Sequence, residues 1–123
     1  MAAEKNVMVL DDEPIVGERL RPALEKEGFT VEVFIDSAAA IERLQQTRFR
    51  VLVTDMKMRG PSGMDVLRFV KEQAPTTQVI VITGYATIET NHEAEALGAF
   101  HFVAKPFKMK DLVKLVTKAA KAG

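Results

Sequence analysis

The stretch "NVMVLDDEP" (6–14) runs four apolar residues straight into Asp11, Asp12 and Glu13. Neighbouring carboxylates repel one another and raise one another's pKa unless a cation joins them. Asp55 follows the run "VLVT" (51–54), Thr83 closes "VIVIT" (79–83), and Lys105 follows "FHFVA" (100–104). If the fold brings the ends of these runs together, three carboxylates, a hydroxyl and an ammonium share one rim. Hard oxygen ligands in that number suit Mg²⁺, which keeps several waters and shares its other positions with a phosphate. A carboxylate in contact with such a metal can also be a nucleophile that forms an acyl phosphate. The ammonium would then neutralise the transferring phosphoryl oxygens, and the Thr83 hydroxyl would donate to one of them.

Such a rim needs strands to position it. Five runs, "VMVL" (7–10), "VEVFI" (31–35), "VLVT" (51–54), "VIVIT" (79–83) and "FHFVA" (100–104), are each about a strand long. The first, third and fourth are nearly continuous in apolar residues, as central parallel strands covered on both faces are. Glu32 and His101 give the second and fifth the alternation of edge strands.

Helical patterns fill the gaps. Pro14 suits a first helical position ahead of Val16, Leu20, Ala23 and Leu24, with a stop at Glu27 and Gly28. Pro22 lies inside that run, removes a backbone bond to Glu18, and predicts a kink or break near residues 19–21. Ser37 is expected to cap a helix carrying Ala40, Ile41 and Leu44. Ser62 with Asp65 resembles a capping box ahead of Met64, Leu67 and Val70. Thr87 is expected to cap "IETNHEAEAL" (88–97), with Gly98 closing it, and Leu112, Leu115, Val116 and Ala119 make the last stripe. A strand-helix alternation repeated five times predicts an open parallel sheet with helices on both faces and its ligands at the carboxyl ends of the strands. That rule puts all five candidate groups on the same rim.

Composition narrows the classes. The 123 residues suit one domain with a single core. The 17 basic and 17 acidic residues cancel, so no long-range field favours nucleic acid or an anionic membrane. Without Cys there is no disulfide framework, thiolate metal site or Cys nucleophile. The chain has neither a signal-like opening nor an apolar run of about 18 residues, and a soluble cytoplasmic protein is expected.

Taken in order, "VLDDEP", "VTDMKM", "ITGYAT" and "FVAKPF" sit at the ends of the first, third, fourth and fifth strands. Together they resemble the receiver domain of two-component response regulators, over essentially the whole chain. The resemblance implies a flavodoxin-like (βα)5 three-layer α/β sandwich, a parallel five-stranded sheet in the order 2-1-3-4-5, and a receiver domain over residues 1–123. It implies that Asp55 is the phosphoacceptor for a phosphoryl group from a histidine kinase. Mg²⁺ would be bound directly by Asp12, mainly through water by Asp11, and also by Asp55 and the backbone carbonyl of Lys57. Lys105 would contact the phosphoryl group ahead of a cis bond to Pro106, and Thr83 with Phe102 would form the switch. The signal would leave through the face of the fourth helix, fifth strand and fifth helix, towards an output domain or partner protein or into a homodimer. No nucleic acid is bound by such a domain, no membrane is involved, and its only catalysis is of its own phosphorylation and dephosphorylation. "TGYAT" and "GAF" look most like receivers of enhancer-binding transcription activators.

The sequence departs from that family in two places. Arg59 stands four positions after Asp55, where a Pro is common, and Pro61 follows two later with the loop length unchanged. Phe102 stands three before Lys105, where Tyr is usual in regulators of this type. Other residues read blandly. Glu13 suits a helix N-terminus, where the macrodipole favours negative charge, and is expected to share weakly in the acidic cluster as well. His92 falls on a polar helix face, His101 points out from an edge, and Met56 and Met58 pack beneath the loop. In the helix at 88–97 the large apolar residues are Ile88 and Leu97, and such sparse packing marks an element of low local stability suited to switching. Two further classes compete. A small Mg²⁺-dependent phosphohydrolase would want a second Asp two positions after the nucleophile, where Lys57 stands. A pure interaction module with a relic site is opposed by the five intact site residues.

Overall fold

The five apolar runs become strands β1 (Asn6–Leu10), β2 (Thr30–Phe34), β3 (Val51–Asp55), β4 (Gln78–Thr83) and β5 (His101–Ala104). They pair in parallel in the order 2-1-3-4-5. The structure is a computed structural model that describes residues 5–56, 58, 60–84 and 88–122, without the side chains of residues 88 and 90. Helices α1 (Pro14–Glu25), α2 (Ser37–Gln46), α3 (Gly63–Gln73), α4 (Ile88–Ala96) and α5 (Met109–Ala122) alternate with the strands. This is the expected flavodoxin-like architecture, with β2 and β5 at the edges as the alternation at Glu32 and His101 predicts.

The period of two along each strand divides the core. Met8, Leu10, Leu52, Val79 and Val81 face α2, α3 and α4. Val7, Val9, Val53, Ile80 and Ile82 face α1 and α5. Both sets are fully buried, and a side chain of this size contributes about 1.5–3 kcal/mol when removed from water. Register then levels the strand ends: Leu10 pairs with Thr54, Asp55 with Ile82, and Thr83 with Ala104. Whatever follows those residues must meet on one rim.

Three local readings from the sequence are settled by bonding. Asp36, not Ser37, caps α2, its carboxylate accepting the Ala39 N–H at 3.0 Å, while Ser37 is the buried first residue of the helix. Helix α1 runs from Pro14 to Glu25 without the break expected near residues 19–21, and beyond Pro22 the Lys26 N–H still donates to the Pro22 carbonyl at 3.1 Å. Leu20 and Leu24 flank Pro22 and are fully buried; at about 1.5–3 kcal/mol each, they offset the roughly 3 kcal/mol that an internal proline costs a helix. The capping box of α3 is complete, with Ser62 Oγ accepting the Asp65 N–H at 3.2 Å and Asp65 Oδ2 accepting the Ser62 N–H at 2.9 Å. Gly98 follows α4 with φ +90°, a left-handed conformation that a Cβ would strain. The cap expected at Thr87 lies outside the described residues.

Candidate functional site

Asp11 leaves β1 almost fully buried, at 2 % exposure, and Asp55 ends β3 at 6 %. Lys105 reaches across from the end of β5. Its ammonium donates to Asp11 Oδ2 at 2.9 Å and to Glu13 Oε1 at 3.0 Å, and lies 3.6 Å from Asp55 Oδ2. Asp12 is exposed beside them, and one carboxylate oxygen from each of Asp11, Asp12 and Asp55 lies within 4.8 Å of the others. Thr83 is fully buried at the end of β4, level with Ala104 and next to the cis bond between Lys105 and Pro106. The strand-end rule thus holds for every described member of the set.

Two backbone amides fix the acids. The Glu13 N–H donates to Asp11 Oδ1 at 2.9 Å, and the Met56 N–H donates to Asp55 Oδ1 at 2.8 Å. Burial pushes the Asp55 carboxyl above the usual aspartate range and the charge of Asp11 adds to this, while Lys105 and the Met56 N–H pull partly the other way. For Lys105, burial disfavours the ammonium, but hydrogen bonds to Asp11 and Glu13 and the charges of Asp11 and Asp55 prevail, holding its pKa above the ordinary lysine value. One ammonium therefore faces an excess of carboxylate. Clustered hard oxygen donors of this kind fit a divalent cation such as Mg²⁺, and they offer nothing to a soft metal.

Two contributors escape the sequence reading. The Gly63 N–H donates to the Met56 carbonyl at 2.7 Å. A Cβ on Gly63 would overlap the Asp55 carbonyl oxygen and lie 2.7 Å from Met56 Cα. The capping box thus starts α3 directly on the backbone of Asp55, and Gly is the residue that fits there. A weak signal exists, since Gly is a poor choice for the first turn of a helix. The other contributor is Glu13, read mainly as a helix-terminal acid with a weak share in the acidic cluster and no named partner. It occupies the N-cap of α1, yet its side chain makes no cap bond and pairs with Lys105 instead. No local signal reveals a partner 92 positions away.

The remaining candidates divide. Lys57 and Arg59 lie outside the described residues. Met56 is buried, and Met58 packs against the same cluster as α2 and α3. Phe102 is half-buried, pairs in register with Val81, and lines a hollow of about 290 Å³ between α4 and β5. Gly84 is exposed, and a Cβ there would meet nothing, so internal packing does not call for glycine at that position. His92 and His101 are both exposed. Among the described residues, no helix is long and apolar enough to cross a membrane.

Comparison with known proteins agrees with this geometry. Residues 7–117 match the response regulator receiver domain family. The chain is 32% identical over 119 residues to an NtrX-like response regulator of Rickettsia conorii, covering 95% of this chain and 25% of that protein. It is 33% identical over 114 residues to the response regulator receiver protein CpdR of Brucella abortus, covering 93% and 95%. The chain thus spans a quarter of the NtrX-like relative and nearly all of CpdR. The solution structure of the beryllofluoride-activated NtrC4 receiver domain dimer superposes with a TM-score of 0.90 at 31% identity, covering 96% of this chain and 98% of that one. With its acidic rim, its 2-1-3-4-5 sheet and these relatives, the chain belongs to the receiver domains of two-component response regulators.

Proposed function

We propose that this domain accepts a phosphoryl group on Asp55 from the phosphohistidine of a histidine kinase and passes the signal on through α4, β5 and α5. The observation that carries the reading is the convergence of Asp11, Asp12 and Asp55 within 4.8 Å beside Lys105. Gathering that much like charge at the end of a buried sheet opposes folding and favours a bound cation, which together with Lys105 can then meet the charge of a phosphoryl group.

The chemistry follows from the placement of each group. The Met56 N–H holds one oxygen of Asp55 and so fixes the plane of the carboxylate, leaving the other on the Lys105 side. An Asp55 oxygen attacks phosphorus as the donor's P–N bond breaks, and the electron pair of that bond stays on the imidazole nitrogen. Lys105 meets the charge on the phosphoryl oxygens, and the Thr83 hydroxyl donates to one of them. Asp11, Asp12 and Asp55 would hold Mg²⁺, joined by the backbone carbonyl of Lys57, which lies outside the described residues. When bound, the metal supplies further neutralisation of the phosphoryl charge.

Drawing Thr83 towards the phosphoryl group vacates space that the Phe102 ring can enter. Phe102 already borders a hollow lined by Asn91, Glu95 and Ala99 on the α4 side. Phe lacks the hydroxyl that would hold a Tyr in either position, so the inactive bias is smaller. Output is then a partner protein, an attached domain or a second copy meeting this face, and the exchange with a kinase puts the domain in the cytoplasm. Intact mass after incubation with Mg²⁺ and a small phosphodonor tests the proposal. The parent should gain one phosphoryl group and Asp55→Asn none; undiminished labelling of Asp55→Asn rejects it.

A further inference from the structure

The geometry points to Glu13 as a positioning residue that sets how far the Lys105 ammonium leans towards Asp55. This inference rests on the reading of Asp55 as phosphoacceptor. Three distances carry it: Lys105 Nζ lies 2.9 Å from Asp11, 3.0 Å from Glu13 and 3.6 Å from Asp55. The acceptor is the farthest of the three carboxylates. Asp11 and Glu13 take the short bonds, and Asp55 receives what is left.

Asp11 is committed by position, with its side chain 1 % exposed and its second oxygen occupied by the Glu13 N–H. Glu13 is not committed. Its side chain is 63 % exposed, makes no cap bond to α1, and contacts Lys105 from the open side of the site. The short side chains favoured at a helix N-cap turn back to the first-turn N–H groups, whereas the longer Glu side chain is poorly suited to do so and is left to reach elsewhere. Glu13 makes no bond to them, and among the described residues the hydrogen-bond partner of its carboxylate is Lys105. Glu13 therefore competes with Asp55, and with any phosphoryl group on Asp55, for the same ammonium. Its own N–H on Asp11 fixes the main chain beside the site, and from there the side chain reaches Lys105.

The consequence is a restraint on the activated state. Removing the Glu13 charge should release Lys105 towards Asp55 and strengthen its grip on an anionic group there. Because Glu13 is well exposed, the effect is screened by solvent and amounts to roughly two- to fivefold.

The test uses beryllofluoride with Mg²⁺ as the phosphoryl mimic and follows binding and the Lys105 side-chain ammonium by NMR. Glu13→Gln should bind the mimic two- to fivefold more tightly, and its Lys105 resonance should shift even before the mimic or the metal is added. Glu13→Asp, which keeps the charge but is too short to reach, should behave like Glu13→Gln. In a Lys105→Ala background, Glu13→Gln should change binding by less than half as much, since the coupling is lost with the lysine. The inference is overturned if parent and Glu13→Gln share the same affinity and the same Lys105 resonance. It is equally overturned if the gain survives intact without Lys105, because Glu13 would then act as a general charge. A parent that does not bind the mimic at Asp55 overturns the phosphoacceptor reading itself, and this inference with it.

Discussion

Helices α3 and α4 lie on the same face of the sheet and differ by only two residues in length, at 11 and 9, yet they are held in different ways. Helix α3 starts in a closed capping box and buries Met64, Val66, Leu67 and Val70. Among the described side chains of α4, only Ala94 is fully buried, and His92, Glu93 and Glu95 stand in solvent. Each helix follows a strand that ends in the site, α3 after Asp55 and α4 after Thr83. The difference fits the roles proposed for them. Helix α3 sits on the Asp55 backbone through Gly63 and anchors that residue, whereas the described side chains of α4 bury little surface, as suits an element proposed to shift at small cost.

If that contrast is right, the same kind of damage should hurt unequally. Leu67→Ala empties a fully buried position in α3 and is expected to cost about 2–5 kcal/mol in urea denaturation. Gly63→Ala drives a methyl group into the backbone of Asp55 and Met56, with an expected cost of about 1–3 kcal/mol and a slower acceptance of phosphoryl by Asp55. Ala94→Gly, at the best buried described position of α4, should cost only about 1 kcal/mol, and native-state hydrogen exchange should show the loss in α4 rather than across the sheet. Equal losses at Leu67 and Ala94 would remove the distinction between anchor and mover.

The smallest expected effect concerns the charge that the anchor holds. Burial and Asp11 raise the Asp55 pKa in the folded state above the ordinary value of 3.8. Folding therefore favours the protonated form. The penalty for the ionised form is absent well below pH 3.8 and grows as pH rises from there through the folded pKa. Asp55→Asn should accordingly be more stable than the parent at neutral pH in the absence of Mg²⁺, with the advantage shrinking as pH falls towards 3.8. Urea midpoints across that range measure it, and an advantage that grows on acidification contradicts the assigned cause.

Much of this arrangement is legible in the residues. Strand positions can be read because burial on both faces leaves no room for the alternation that Glu32 and His101 introduce. The rim can be read because parallel strands deliver their carboxyl ends together, so Asp11, Asp55, Thr83 and Lys105 need only follow their runs. What stays hidden depends on contacts between segments distant in sequence. Asp36 and Ser37 are both competent caps, and only the path of the chain from β2 selects Asp36. Pro22 reads as a breaker because its local cost is visible, while the offsetting burial of Leu20 and Leu24 against the sheet is not. Gly63 and Glu13 matter through Asp55 and Lys105, and no window along the chain contains both members of the Glu13 pair.

The central claim is that modification at Asp55 leaves α3 in place and moves α4 with β5. Amide hydrogen exchange, read with and without beryllofluoride in the presence of Mg²⁺, tests it most directly. The account predicts altered protection in residues 88–104, covering α4 and β5, and unchanged protection across α3 at 63–73. Changes spread evenly over both helices, or centred on α3 with α4 and β5 unaffected, would contradict it.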